Sequence, residues 1–519
     1  MNYLRYGLWG LALAMVVWWI SDRMMGTKQE EGREGRIRNI SGQKMDRVVV
    51  PESPKADPGK KGKAKGNFDG AIETGAGEEI RGEKILRFKD RSAYQRFLKS
   101  APPGVVLDQM DALQAVRVKD GEWLKSMAKT SEMDVGKNYY VAVPEVPAEV
   151  QTMGDDVYRP VGSSALKLMG AEGVSSSWGK GVVLALLDTS LNPTGTSLGS
   201  DEGHGTAMMS LIGGAGGAAP GAKILGFTVL DGKGTGDSFS LAKAIYAAVD
   251  QGAKVINMSL GSSGDCGVVK EAVAYALSKQ VALVAAAGNE AVNRVAYPAA
   301  YEGVLAVGSV DGDRVNPEHL YFSNRGKSLD VVAPGFAVVA DWPGGKKVEV
   351  SGTSASTALV SGAIAAVLSR EPYLTGKQAA DLVVRYANDV GKAGPDEETG
   401  AGIVNLQRVF ERNQRGIVDL ATAGVVLDTK KGNVTVAVQN RGTETVNSPV
   451  IEITAGGATR KFYPGSLAPG QSMEESVQFD PVRAKQEGGV RIGANVEAPR
   501  GSDQRSANDM WSGWFKISK

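Results

Sequence analysis

Glu349-Val350-Ser351-Gly352-Thr353-Ser354-Ala355-Ser356-Thr357-Ala358-Leu359-Val360-Ser361-Gly362 is the stretch around which the chain is organised. A β-type run over 347–350 meets a glycine turn, and an apolar, small-residue helix follows to about Arg370. Ser354 thus falls at or near a helix N-terminus, where unpaired backbone N–H groups and the positive dipole end favour negative charge. A serine that attacks a carbonyl creates an oxyanion, so the position suits a nucleophile. The structural alternative is that Ser351, Thr353 or Ser354 caps a buried helix.

Partners elsewhere strengthen the chemical reading. The chain has two histidines, His204 and His319. His204 lies in Gly203-His204-Gly205-Thr206-Ala207, ahead of an apolar run that reads as a helix start. His319 sits in the polar loop Asn316-Pro317-Glu318-His319-Leu320. Asp188 closes a buried-strand pattern, Val182-Val183-Leu184-Ala185-Leu186-Leu187-Asp188-Thr189. Taken singly, a buried histidine is usually structural and an aspartate after a strand is usually a turn former. Three such motifs in the order Asp188, His204, Ser354 are far more specific.

With Val255-Ile256-Asn257-Met258-Ser259-Leu260-Gly261, Ala285-Ala286-Ala287-Gly288-Asn289, Phe322-Ser323-Asn324-Arg325-Gly326, Val332-Ala333-Pro334-Gly335 and Ser351-Gly352-Thr353-Ser354, the chain resembles a subtilisin-family serine protease from about residue 158 to 412. The resemblance implies Ser354 as nucleophile, His204 as general base and then acid, Asp188 as its orienter, and Asn289 as an oxyanion donor beside the Ser354 N–H. It implies a polypeptide substrate bound as an extended strand between Gly234-Thr235-Gly236 and Ser259-Leu260-Gly261. Leu260, Ala286, Ala287, Gly288 and Ala296 would line the first specificity pocket, and their lack of charge points to a medium apolar residue there. No cofactor is implied. Many relatives bind structural calcium, but no Asp-rich loop demands it here, and Asp237, Asp311 and Asp313 read as solvated-turn residues. Departures from the family pattern are Ser190 where glycine is usual, Ala207-Met208-Met209-Ser210 after the histidine, Ala355-Ser356-Thr357-Ala358-Leu359 after the serine, and a short Asp188–His204 spacing.

The fold class is α/β. Continuous apolar runs at 182–187, 223–229, 255–258, 282–286 and 304–307, alternating with helices near 205–212, 240–251 and 267–279, predict a parallel sheet covered on both faces. Such sheets bind ligands outside the carboxyl ends of their strands, where Asp188, Ser259 and Asn289 all fall.

At 519 residues several domains are expected. Residues 1–25 read as a signal anchor or signal peptide: 6–21 are uncharged, with Trp9, Trp18 and Trp19, and no good cleavage site follows. Residues 26–77 are polar and rich in Gly, Pro and Lys, a disordered linker. Residues 78–143 show the order β-α-β-β-α-β, similar to the family's inhibitory propeptide of ferredoxin-like fold, which by resemblance would chaperone folding and block the cleft. Residues 144–157 form a connector, part of a stretch to 166 with three prolines, which by resemblance would hold the maturation bond. After 158–412, residues 413–519 read as a β-sandwich of short strands in which helical patterns stop, serving either to stabilise the protease or to dock to a surface.

Net charge +1 gives no field for nucleic acid, and the lone Cys266 excludes an internal disulfide framework. The resemblance places the protease outside the cytoplasm, with membrane contact through residues 6–21. A catalytically silent, surface-binding protein is the competing reading.

Overall fold

The computed structural model describes residues 76–127, 132–147, 158–171, 173–174, 176–191, 201–314, 316–499 and 502–517. The expected N-terminal apolar segment at 6–21 and almost all of the linker lie outside them. Among the described residues no helix is long and apolar enough to cross a membrane.

The first unit runs β1 (Glu79–Phe88), α1 (Arg91–Ser100), β2 (Val106–Met110), β3 (Ala115–Lys119), α2 (Glu122–Met127) and β4 (Met133–Ala142). Its antiparallel strands lie in the order β2-β3-β1-β4. One face packs Leu86, Phe88, Tyr94, Phe97 and Val116 into a small aromatic-rich core. Asp90 caps α1 by accepting the Ala93 N–H at 2.8 Å.

The central sheet contains β5 (Val183–Asp188), β6 (Lys223–Thr228), β8 (Val255–Met258), β9 (Ala282–Ala286), β10 (Val304–Val310) and β11 (Val331–Pro334), the short β7 (Thr235–Asp237) lying apart from it. All six are parallel, in the order β11-β10-β9-β8-β5-β6. The order reverses between β5 and β8, which opens a crevice at their carboxyl ends. On one face lie α3 (His204–Gly213) and the long α6 (Thr353–Arg370), with α7 (Gly376–Arg385) and α8 (Leu406–Glu411). On the other lie α4 (Ser238–Asp250) and α5 (Gly267–Ser278). Helix α6 is apolar all round because it is buried all round, from Thr353 to Leu368. Its hydroxyls find partners inside the core: Ser361 Oγ donates to Asn257 Oδ1 at 2.8 Å and Ser356 Oγ to the Ala333 carbonyl at 2.9 Å. The hairpin β12 (Val338–Trp342)–β13 (Lys346–Val350) feeds the chain into α6.

The third unit carries β14 (Leu420–Asp428), β15 (Asn433–Asn440), β16 (Val446–Asn447), β17 (Val450–Ala455), β18 (Ala458–Phe462), β19 (Ser466–Leu467), β20 (Ser472–Gln478), β21 (Gly489–Glu497) and β22 (Met510–Lys516). The antiparallel sheets β14-β15-β20 and β18-β17-β21-β22 share one apolar core. One expectation fails here: α9 (Pro481–Glu487) interrupts the strands. It is a short helix with Asp480 as cap, Pro481 in its first turn and Gly488 left-handed at its end, so local capping wins over the β texture around it.

This unit is joined to the α/β unit by half-buried polar contacts. Arg441 donates to the Asp389 carbonyl at 3.1 Å, and Arg505, held by Asp419 of its own unit at 2.9 Å, also pairs with Glu411 of α8.

Candidate active site

Asp188 is the last residue of β5 and is wholly buried. Its Oδ1 meets His204 Nδ1 at 2.7 Å and accepts the Thr189 N–H at 2.7 Å. Thr189 Oγ1 in turn accepts the Gly205 N–H at 2.9 Å, tying the strand end to the first turn of α3, which His204 opens. The imidazole is therefore held by Nδ1 with its side chain only 12% exposed. His204 meets Asp188 at the end of β5 and Ser354 meets Ser259 just past the end of β8, so both lie at the carboxyl end of the sheet.

Ser354 is the second residue of α6, and Gly352 precedes the helix at φ +131°. A side chain at Gly352 would be strained by that backbone and would press its Cβ to 2.9 Å from Asn289 Nδ2. None of Ser351, Thr353 or Ser354 caps the helix from its own cap position. The cap comes from another loop: Asn289 Oδ1 accepts the Thr353 N–H at 3.0 Å and the Thr353 hydroxyl at 2.9 Å. The amide is thereby turned so that Nδ2 faces the cleft. It donates at 2.7 Å to the carbonyl of Pro144.

That carbonyl belongs to a segment laid through the cleft. Val141 pairs with Gly236 and Ala142 with Thr235, joining β4 antiparallel to β7. Ala142 exchanges hydrogen bonds with Gly261, at 2.9 and 2.8 Å, on its other side. The Val143 N–H donates to Gly234 O at 2.9 Å. Residues 141–144 thus lie as a strand between two backbone edges, and all four are buried. Leu260 is buried in the same apolar cluster as Val141, together with Ala287. Ala286 and Ala296 are also buried, and Ala296 closes the wall by donating its N–H to Ala287 O at 2.9 Å. Gly288, at φ +104°, leaves no room for a Cβ, which would stand 2.2 Å from Asn324 Nδ2. Asn324 in turn donates to Ala287 O at 3.0 Å and accepts the Glu290 N–H at 3.1 Å, fixing the loop that carries Asn289.

The Ser354 hydroxyl is not hydrogen-bonded to the imidazole. It donates to the carbonyl of Ser259 at 3.3 Å, and Ser259 Oγ donates back to Ser354 O at 3.0 Å. Three other sequence expectations shift. Asp311 is buried, not solvated, and gathers the N–H groups of Arg159, Asp313 and Glu318 at 3.0, 3.1 and 3.0 Å. Asp237 caps α4 and pairs with Arg117 of the first unit at 2.7 Å. His319 Nε2 is sealed from solvent, and burial together with the Arg325 charge pushes its imidazole down to about 3. Cys266 is buried, its thiol pushed up by that burial, so it is not a competing nucleophile. Sequence reasoning missed Thr353 and Pro144 as site residues. Thr353 was visible only as a motif member, and Pro144 arrives from far along the chain.

The Subtilase family model matches residues 192–402, which include His204, Asn289 and Ser354. "Subtilisin Savinase" of Lederbergia lenta is 32% identical over 249 residues, covering 44% of this chain and 90% of that protein. The chain belongs to the subtilase family. This subtilase is also 29% identical over 363 residues to an "Alkaline protease" of Alkalihalobacillus alcalophilus, covering 64% of this chain and 92% of that protein. A "Thermostable alkaline protease" of Halalkalibacterium halodurans is 36% identical over 254 residues, 45% of this chain and 69% of that one. The subtilase is accordingly a subtilisin-like serine endopeptidase. Among its described residues, no group of three or more His, Cys, Asp or Glu side chains could hold a metal ion.

Proposed function

We propose that this subtilase is made as a self-processing zymogen whose site works through Asp188, His204 and Ser354. In this reading His204 takes the Ser354 proton as the oxygen attacks a peptide carbonyl. Asp188 fixes the ring tautomer through Nδ1 and stabilises the imidazolium that forms. The oxyanion receives hydrogen bonds from Asn289 Nδ2 and the Ser354 N–H at the positive end of α6. His204 then protonates the leaving amine, and water releases the acyl group by the same route in reverse. Gly234, Gly236, Ser259 and Gly261 supply the edges that hold polypeptide substrates.

The observation that carries this reading is the 2.7 Å contact from Asn289 Nδ2 to the Pro144 carbonyl, made by a strand seated between those edges. A chain segment so held is a stand-in for substrate. Residues 78–143 accordingly act as propeptide, 158–412 as the catalytic domain and 413–519 as an accessory sandwich, with residues 1–25 directing the enzyme out of the cytoplasm. The test is Ser354→Ala: casein hydrolysis and self-processing are both lost, whereas a variant that still cuts casein at the parent rate defeats the proposal. The Ser354–Ser259 hydrogen bond favours the silent, surface-binding alternative. The same variant decides it, since a silent parent shows no casein hydrolysis to lose.

A further inference from the structure

The strand in the cleft has a register that identifies one peptide bond. Ala142 and Gly261 exchange both hydrogen bonds, so they form a hydrogen-bonded antiparallel pair. Such pairs recur every second residue. The next one matches residue 144 with residue 259, and there the N–H of residue 144 would donate to the Ser259 carbonyl. Residue 144 is proline and has no N–H. In its place the Ser354 hydroxyl donates to Ser259 O, at 3.3 Å. Meanwhile the Pro144 carbonyl already rests on Asn289. The reacting carbonyl is thus in place, while one substrate-holding bond is missing and the attacking hydroxyl is drawn to the acceptor left over.

We propose that Pro144–Glu145 is the maturation bond and that Pro144 is a built-in brake on its cleavage. This deepens the zymogen reading and rests on it. When the bond is cut, Ser354 Oγ bonds to the Pro144 carbonyl carbon and its proton passes to His204. The Pro144–Glu145 C–N bond breaks, and the proton goes on to the Glu145 nitrogen. Water then hydrolyses the Pro144 ester, leaving Pro144 as a carboxylate and Ser354 as a hydroxyl. Proline slows this sequence in two ways: it withholds the N–H that would hold the strand against Ser259, and it leaves Ser259 O free to divert the Ser354 proton from His204. Restoring an N–H at residue 144 satisfies Ser259 O from the strand and releases the hydroxyl.

The experiment follows the full chain, purified promptly, by intact mass and N-terminal sequencing over time, with Pro144→Ala and Ser354→Ala beside the parent. The proposal predicts that Pro144→Ala matures about tenfold faster or more, as expected for regaining one hydrogen bond at a buried acceptor, with Glu145 as the first new N-terminus. A second measurement does not depend on folding of the variant chain. Peptides spanning residues 140–147 with proline or alanine at 144 are offered to the mature enzyme, and the alanine peptide is cut after residue 144 with a kcat/KM about tenfold higher. Equal rates for the two chains and the two peptides overturn the brake. A first new N-terminus in Pro144→Ala other than Glu145 overturns the register. Processing of Ser354→Ala at the parent rate would instead defeat the underlying reading of the site.

Discussion

Replacing Asn289 with alanine should remove two things at once, and the structure separates them. Nδ2 is the side-chain donor to the carbonyl in the cleft, at 2.7 Å. Its loss is expected to lower kcat by about 10²–10³, the range found for such a donor within this same family. That donor acts mainly on the charge that develops in the transition state, so KM should change little. Oδ1 accepts from both the N–H and the hydroxyl of Thr353, which are buried. Alanine leaves both donors unpaired, at a cost to stability of about 1–3 kcal/mol for each. Thr353→Val keeps the Asn289 donor and removes the hydroxyl that helps orient it, which also accepts the Gly288 N–H at 3.3 Å. A loss of about tenfold in kcat is expected there, one hydrogen bond's worth of positioning. The assay is hydrolysis of a peptide p-nitroanilide with an apolar residue at the cleaved position, by mature enzyme, with a melting curve for each variant. If Asn289→Ala keeps kcat within threefold of the parent, or loses activity only through KM, the donor does not serve the oxyanion and the reasoning fails.

Three further outcomes follow from other contacts. Asp188→Asn keeps the shape beside His204 Nδ1 but favours the wrong tautomer, so kcat should fall about 10⁴-fold with the melting temperature nearly unchanged; a loss under tenfold would contradict the orienting role. Arg117→Ala removes the 2.7 Å pair with Asp237 at the start of α4, and separately made residues 78–143 carrying it should inhibit the mature enzyme about fivefold less tightly, whereas unchanged inhibition would show that the pair adds nothing to docking. Asp509 is raised to about 7, first by burial and then by the charges of Asp503, Asp419 and Glu497. The unfolded carboxyl titrates near ~4, so between about pH 4 and 7 only the folded chain keeps the proton, and the stability tied to it falls as pH rises. Asp509→Asn should therefore raise the melting temperature at pH 8 and leave it unchanged at pH 4.5; equal shifts at both would refute the assignment.

The parts of this fold legible in the sequence are those that burial dictates locally. Strands β8 and β9 fall where continuous apolar runs are bounded by turn residues, and a strand buried on both faces needs no other signal. Helix α6 is legible for the same reason, from the glycine turn to Arg370. The first unit's element order is readable from its periodicity, but β4 begins at Met133, well ahead of the apolar run at 139–143. Its first half carries Asp134, Gly136 and Lys137, and it is a strand only because β1 pairs with it. Helix α9 announced itself through Asp480-Pro481 and Gly488, signals hidden by strands on either side. At the site, the motifs carry no sign of what occupies the cleft. That Pro144 would meet Asn289, or that Ser354 would turn to Ser259, depends on pairing between segments 145 and 95 residues apart, and no local pattern encodes it.

The account stands on Ser354 being activated by His204. The direct measurement is treatment of the processed enzyme with a serine-directed fluorophosphonate, followed by tryptic mapping of residues 348–370, with fragmentation to place the added mass. The account predicts one adduct, on Ser354, and loss of labelling in His204→Ala. An adduct on another serine, or labelling of His204→Ala at the parent rate, would contradict it.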